Sequence, residues 1–293
     1  MTSRMKSELV FAIILLFGGF TLLEMAIFLY HHFGRSLQYW LMPQHSTTMS
    51  EGYSILGLTI SLFFIIVFVR ITWKIIQQLK LSDKWYTKFL LTQNWSKTRY
   101  INAQYPEFLN QILVIENHQF VALTTGFIKP KIVISTFVID HFSEEELRAI
   151  LLHEQFHSIH RDPFRLMLIK VVTEGLSYIP MLKSLVQYYN TWRELLADQY
   201  AFKKMKSSNP LGSVLLKVSK IQTNTSFGEA VMHFADVAMN YRIMQIIEPK
   251  KHIPIPIIVN KKSLIVSVTL LLINVLIFAI CVESQIFCHK FLI

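Results

Sequence analysis

Charge is scarce in this chain: 16% of its 293 residues are Asp, Glu, Lys or Arg, against 52% hydrophobic. That balance excludes an ordinary soluble domain and directs attention to long apolar runs. Cysteine is scarcer still. The two present, Cys281 and Cys288, lie near the carboxyl end and far from the histidines, so neither a disulfide framework nor a cysteine metal site can be built from them. At most they pair with each other on an oxidising side. Acidic residues number 19 against 29 Lys and Arg, giving a net charge of +10. The cations gather beside the apolar runs, where lipid headgroups and topology account for them, and no direct nucleic-acid contact is expected.

What is present in excess is apolar length. Leu9 to Tyr30, interrupted only by Glu24, is long enough at helical rise to cross a hydrocarbon core of roughly 30 Å. Tyr53 to Trp73 is a second such run and Leu264 to Val282 a third. The first has no small-residue cleavage site after it and reads as an uncleaved anchor. The expected organisation is an N-terminal membrane region (1–74) with two transmembrane helices, a middle domain (75–262), and a C-terminal transmembrane helix with a short tail (263–293). Lys and Arg flank the amino-terminal side of the first run, the far side of the second and the near side of the third. The positive-inside rule therefore places the middle domain in the cytosol, with the loop from His31 to Gly52 and the last residues outside. The protein is expected to be a multi-pass cell-membrane protein with the lipid bilayer as a partner.

The middle domain is where chemistry must sit. Trp85 to Tyr100 is basic and aromatic and reads as a linker helix along the membrane surface. Ile112 to Glu116, Phe120 to Leu123 and Ile132 to Ser135 read as short strands between turn signals, and a small antiparallel sheet is the natural product. Ser143 followed by Glu146 is a capping-box pattern that opens a helix running to about Arg161, where Pro163 ends or kinks it. Phe164 to Tyr189 is apolar but carries four charges, so a helical hairpin on or dipping into the bilayer is favoured over a full crossing. A further helix is expected over Thr191 to Lys206, and two more between Leu211 and Ile247.

The string His153-Glu154-Gln155-Phe156-His157 lies on the capped helix. An i, i+4 spacing puts both imidazoles on one face, close enough to chelate one ion, with Glu154 placed to take a proton from an attacking water. Zn2+ suits such a donor set, and peptide hydrolysis is the reaction it serves. A catalytic zinc takes three protein ligands, and the third should come from another helix. Glu194 is the better candidate, because Asp198 one turn further on can orient a ligand histidine. Glu174 is the competitor. Tyr200, His233, Tyr241 and Arg242 are candidates to meet the developing negative charge, and Phe120–Leu123 or Ile132–Ser135 could pair with an extended substrate. His160 reads as a surface residue and not as a fourth ligand.

The helix motif with its following His160-Arg161-Asp162, then Glu194-Leu195-Leu196-Ala197-Asp198, resembles the M56 peptidases. This is the membrane metalloprotease family of the β-lactam-sensing receptors that relay antibiotic detection to a transcriptional repressor. Val121 to Ser135 is similar to that family's strand-turn-strand. The resemblance implies a mainly α membrane protein with a gluzincin-type zinc metalloprotease domain. His153, His157 and Glu194 would be the metal ligands, Glu154 the general base, and Asp162 and Asp198 supporting residues. It further implies a signal-responsive endopeptidase whose substrate is a protein, such as a transcriptional repressor or the chain itself. The family's receptors carry an extracellular penicillin-binding sensor after the last span, but some ten residues follow it here, so direct β-lactam sensing is not expected of this chain. An M48-like quality-control protease, or a non-catalytic zinc-containing membrane scaffold, is the alternative.

Overall fold

The long apolar runs become long helices. In the computed structural model, which describes residues 3–41, 55–222, 229–248 and 253–290, helix α1 covers Ser3–Leu41 and α2 Ile55–Leu91. Between them and the last helix lie α3 (Trp95–Gln104), strands β1 (Ile112–Ile115), β2 (Ala122–Thr125) and β3 (Lys131–Ser135), and helices α4 (Thr136–His141) and α5 (Glu144–Ile159). Then come α6 (Asp162–Gly175), α7 (Met181–Met205), α8 (Asn209–Gln222), α9 (Glu229–Ile247) and α10 (Lys261–Lys290). Among the described residues, three helices are long and apolar enough to cross a membrane: Arg4–Phe33, Gly57–Leu91 and Lys261–Ala279. The first contains its expected run, the other two cover most of theirs, and the chain is a mainly helical membrane protein. Residues 42–54, which include half of the His31 to Gly52 stretch, and the side chains of Cys281 and Cys288 lie outside what is described.

The fold divides into two compact units. One comprises Met1–Val10, Gln77–Leu168 and Val186–Ile257; the other Phe11–Ile76, Ile169–Leu185 and Ile258–Ile293. In the second, Ile14, Met25, Phe64 and Ile71 form the buried interior. Gly175 is there because nothing larger fits: a Cβ at that position would sit 2.3 Å from Ile71 Cγ1. Glu174 beside it is ion-paired with Lys74 at 2.7 Å.

The first unit holds the sheet, in the order β1-β3-β2. The β2–β3 pair is antiparallel, as expected of a strand-turn-strand, and Gly126 supplies the positive φ (98°) of the connecting turn. The β1–β3 pair, however, is parallel, so the sheet is mixed and not wholly antiparallel. The residues explain the order. Ile112–Ile115 and Ile132–Ser135 are buried throughout, whereas Ala122-Leu123-Thr124-Thr125 is half polar and half-buried, which suits an edge and leaves β3 in the centre.

Two further elements differ from the sequence expectation. Trp85–Tyr100 is not one helix: α2 ends at Leu91, Gln93 bridges to Ile115, and Asn94 caps α3 by accepting from the Lys97 amide at 2.8 Å. α7 begins at Met181 and not near Thr191, because no breaker follows Pro180 and Tyr189, Trp192 and Leu195 continue one buried face. Phe164–Tyr189 is accordingly a helix, a short turn and the start of the next helix.

The capping box is present as expected: the Ser143 amide donates to Glu146 Oε2 at 2.8 Å, and the Glu146 amide donates to Ser143 Oγ at 3.3 Å. Behind it, Leu147, Ile150, Leu151 and Leu152 of α5 join Val114, Ile134 and Leu211 in one buried cluster. Burying such side chains stabilises by about 1.5–3 kcal/mol each, so α5 is anchored along its apolar side before its polar side is considered.

Candidate active site

The polar side of α5 is also buried, which is costly unless every group is matched. His153, Glu154 and His157 are each under 9% exposed. His153 Nδ1 lies 2.8 Å from Asp198 Oδ1, and His157 Nδ1 lies 2.6 Å from Asp162 Oδ2. Ionised carboxylates accept, so both rings carry the proton at Nδ1 and turn Nε2 toward one shared point. The two Nε2 atoms are 3.2 Å apart, and Glu194 reaches the same point, with Oε2 3.3 Å from His153 Nε2 and Oε1 3.8 Å from His157 Nε2. One donor atom from each of His153, His157 and Glu194 lies within 4.8 Å of the others, so the three could hold a metal ion.

The electrostatics fit a cation there. Burial opposes charge on His153, but hydrogen bonding to Asp198 and Glu194 outweighs it and carries the imidazole pKa up to about 9. Burial would likewise push Glu194 up, yet the Arg193 guanidinium and the two imidazoles hold it well below the usual carboxylate range. Asp198 is lowered as well: its own burial is outweighed by Arg242 and His153. The ionised Glu194 and two imidazole nitrogens around one point favour positive charge between them, and two nitrogens with a carboxylate oxygen are ordinary zinc donors.

The sequence-derived residues thus come together in large part. Glu174 does not join them; it pairs with Lys74 and, at 3.9 Å, with Lys170. His160 caps the end of α5 with its ring against Phe156, 4.0 Å between centroids. Tyr200 donates to Gln155 Oε1 at 3.0 Å, and the side chain of His233 lies outside those described. Arg242 does reach the site. Its Nε and Nη2 donate to Asp198 at 2.7 and 2.9 Å, and Nη1 lies 3.8 Å from Glu194 Oε2.

A cleft of about 390 Å³ opens over these groups, floored by His153, Glu154, His157 and Glu194 and walled by Phe120, by Ala122 and Thr124 of β2, and by Val214, Leu215 and Val218 of α8. The family profile described as BlaR1 peptidase M56 matches residues 53–246, about two thirds of the chain. The chain belongs to the M56 peptidases. No curated protein matches it significantly. Membership makes it a membrane metallopeptidase and favours the M56 reading over the M48 alternative.

Two parts of this M56 site carry no signature in the sequence. Thr124 Oγ1 lies 2.9 Å from Glu154 Oε2 and 2.8 Å from the Glu154 carbonyl, so the edge strand fixes the carboxylate. Arg193 Nη2 donates to Glu194 Oε1 at 2.6 Å. Thr124 is separated from its partner by 30 positions, and no spacing rule announces such a pair. Arg193 adjoins Glu194 in sequence, but neighbours on a helix point about 100° apart, so their pairing is not an expected one either.

Proposed function

We propose that this M56 peptidase is a zinc endopeptidase of the gluzincin kind, with His153, His157 and Glu194 as ligands, Glu154 as general base, and Asp198 and Asp162 orienting the imidazoles. The observation that carries the proposal is the convergence of two Nε2 atoms, 3.2 Å apart, with the Glu194 carboxylate, beside a general-base candidate that is itself held in place. Zinc supplies Lewis acidity, polarising the scissile carbonyl and easing proton loss from water near neutral pH.

The chain's own residues do the rest. Glu154 Oε2, aligned by the Thr124 hydroxyl, takes the proton from the attacking water and passes it to the leaving amine. The Arg242 guanidinium, clamped on Asp198, lines the cleft and offsets the negative charge that builds on the carbonyl oxygen. The exposed edge of β2 beside the cleft can receive an extended peptide. The substrate is a protein, either a transcriptional repressor or the chain itself, cut in response to a signal, as in antibiotic-resistance regulation. The catalytic domain (75–262) faces the cytosol of a multi-pass cell-membrane protein.

The test is Glu154→Ala in native membranes. Zinc content should stay near one per chain while cleavage is abolished, and the trapped partner identifies the substrate. Undiminished proteolysis by that variant rejects the mechanism.

A further inference from the structure

One end of the sheet carries large aliphatic side chains that the fold does not bury. Because β1 and β3 are parallel, the residues that lead into them leave the sheet at the same end. Leu109, two residues before Gln111, is 78% exposed, and Ile128, at the tip of the Gly126–Pro130 turn, is 80% exposed. The two approaches are tied together: Lys131 Nζ donates to the Asn110 carbonyl at 3.1 Å, and the Ile132 amide donates to the Gln111 carbonyl at 2.9 Å. The carboxyl end of α5 joins them, since Ser158 Oγ donates to Gln111 Oε1 at 3.2 Å and the next residue, Ile159, is 59% exposed.

Leu109 is held at φ 51°, a left-handed conformation where Gly or Asn is the economical choice. A leucine there, pointing at solvent, adds nothing to the core. Exposed cations flank the same end: Lys129 beside Ile128, and Arg161 just beyond Ile159.

Arg165, about one helical turn after Arg161, is paired with Glu8 at 2.8 Å. Glu8 belongs to the same unit, and it is the last charged residue before the apolar run that starts at Leu9. That contact ties the start of α6 to the opening turn of the first membrane-spanning helix.

We propose that the sheet end formed by Leu109, Ile128 and Ile159, with Lys129 and Arg161 around it, is a lipid-binding surface that inserts its aliphatic tips among anionic headgroups of the membrane carrying the chain. Apolar tips ringed by cations suit such a surface, each buried methylene and each headgroup contact adding to the hold. The active helix then ends at the membrane plane, and the cleft above it is presented to substrates close to the bilayer.

The test uses the full-length protein with Cys281→Ser and Cys288→Ser, reconstituted in phosphatidylcholine vesicles with or without phosphatidylglycerol. Single substitutions Leu109→Cys, Ile128→Cys and His118→Cys are labelled with an environment-sensitive fluorophore. His118 is exposed and lies on the connection from β1 to β2, at the opposite end of the sheet. Labels at 109 and 128 should shift to the blue and be quenched by brominated lipid several-fold more than the label at 118. The difference should shrink without phosphatidylglycerol, or when Lys129→Gln and Arg161→Gln are combined. Equal quenching at all three positions overturns the proposal, as does a blue shift that tracks protein concentration and not lipid, which would assign the patch to a second copy of the chain.

Discussion

The two imidazoles at the ends of the His153–His157 pair are held by unlike means. His157 leans on Asp162, five positions later and just past the helix end, where Arg161 at φ 51° turns the chain back. His153 leans on Asp198, 45 positions away on α7, and Asp198 is in turn clamped by Arg242 of α9, 44 positions further on. One support is local and forms with its helix; the other requires three helices to assemble. The local arm should tolerate damage elsewhere in the fold, while the distant arm reports whether the domain is complete.

The largest effect is expected at the distant arm. Asp198→Ala removes the partner of His153 and leaves the buried Arg242 with only its longer, 3.8 Å contact to Glu194. Stability should fall by about 3–5 kcal/mol and zinc affinity by roughly 10–100-fold, read by thermal melts and chelator competition. Adding Arg242→Met should restore most of the stability and none of the affinity; recovery of both would mean that Asp198 only balances charge.

At the local arm, Asp162→Asn keeps an acceptor for His157 Nδ1 but loses the charge. A loss of about 10-fold in zinc affinity is expected, at the low end of what such orienting residues contribute, with little change in the melting temperature. An Asp162 effect exceeding that of Asp198 would contradict the contrast drawn between the arms.

A smaller, pH-dependent effect separates them in the metal-stripped protein. The His153 pKa, raised to about 9 from an ordinary value near 6.5, means that folding stabilises the protonated ring. That contribution is complete below about pH 6.5 and disappears as pH rises toward 9. Thermal melts after chelation should therefore fall across this window, and the slope should vanish in His153→Gln. With zinc present the trend should weaken or reverse, since ion and proton compete for Nε2.

The smallest effect belongs to Thr124→Val. Removing one hydroxyl from Glu154 costs about 0.5–1.5 kcal/mol, a few-fold loss in cleavage rate with zinc content unchanged. Lost zinc in this variant would assign Thr124 to the metal site instead of the base.

The same contrast explains what was legible in the sequence. His153, His157 and the capping box Ser143–Glu146 could be read because a helix converts fixed spacing into fixed geometry. Asp162 and the Glu194–Asp198 pair followed from family resemblance and from one further helical turn. The role of Thr124 was not legible, nor that of Arg193 as the Glu194 partner, because tertiary assembly brings one to its partner and side-chain rotation the other. The parallel β1–β3 pairing escaped for a related reason. Strand order depends on which segment wins the central place, and that contest between Ile132–Ser135 and its neighbours is decided by burial from both faces.

The Glu8–Arg165 pair also bears on how this protein can be handled. The opening turn of the first helix is folded into the proteolytic unit although most of that helix belongs elsewhere. A soluble fragment begun after the second span would strip Arg165 of one of its acceptors and remove Lys6 from the face of Trp192. Supplying residues 1–10 as a separate peptide, or grafting them through a linker onto the fragment, is the rational way to excise a stable protease.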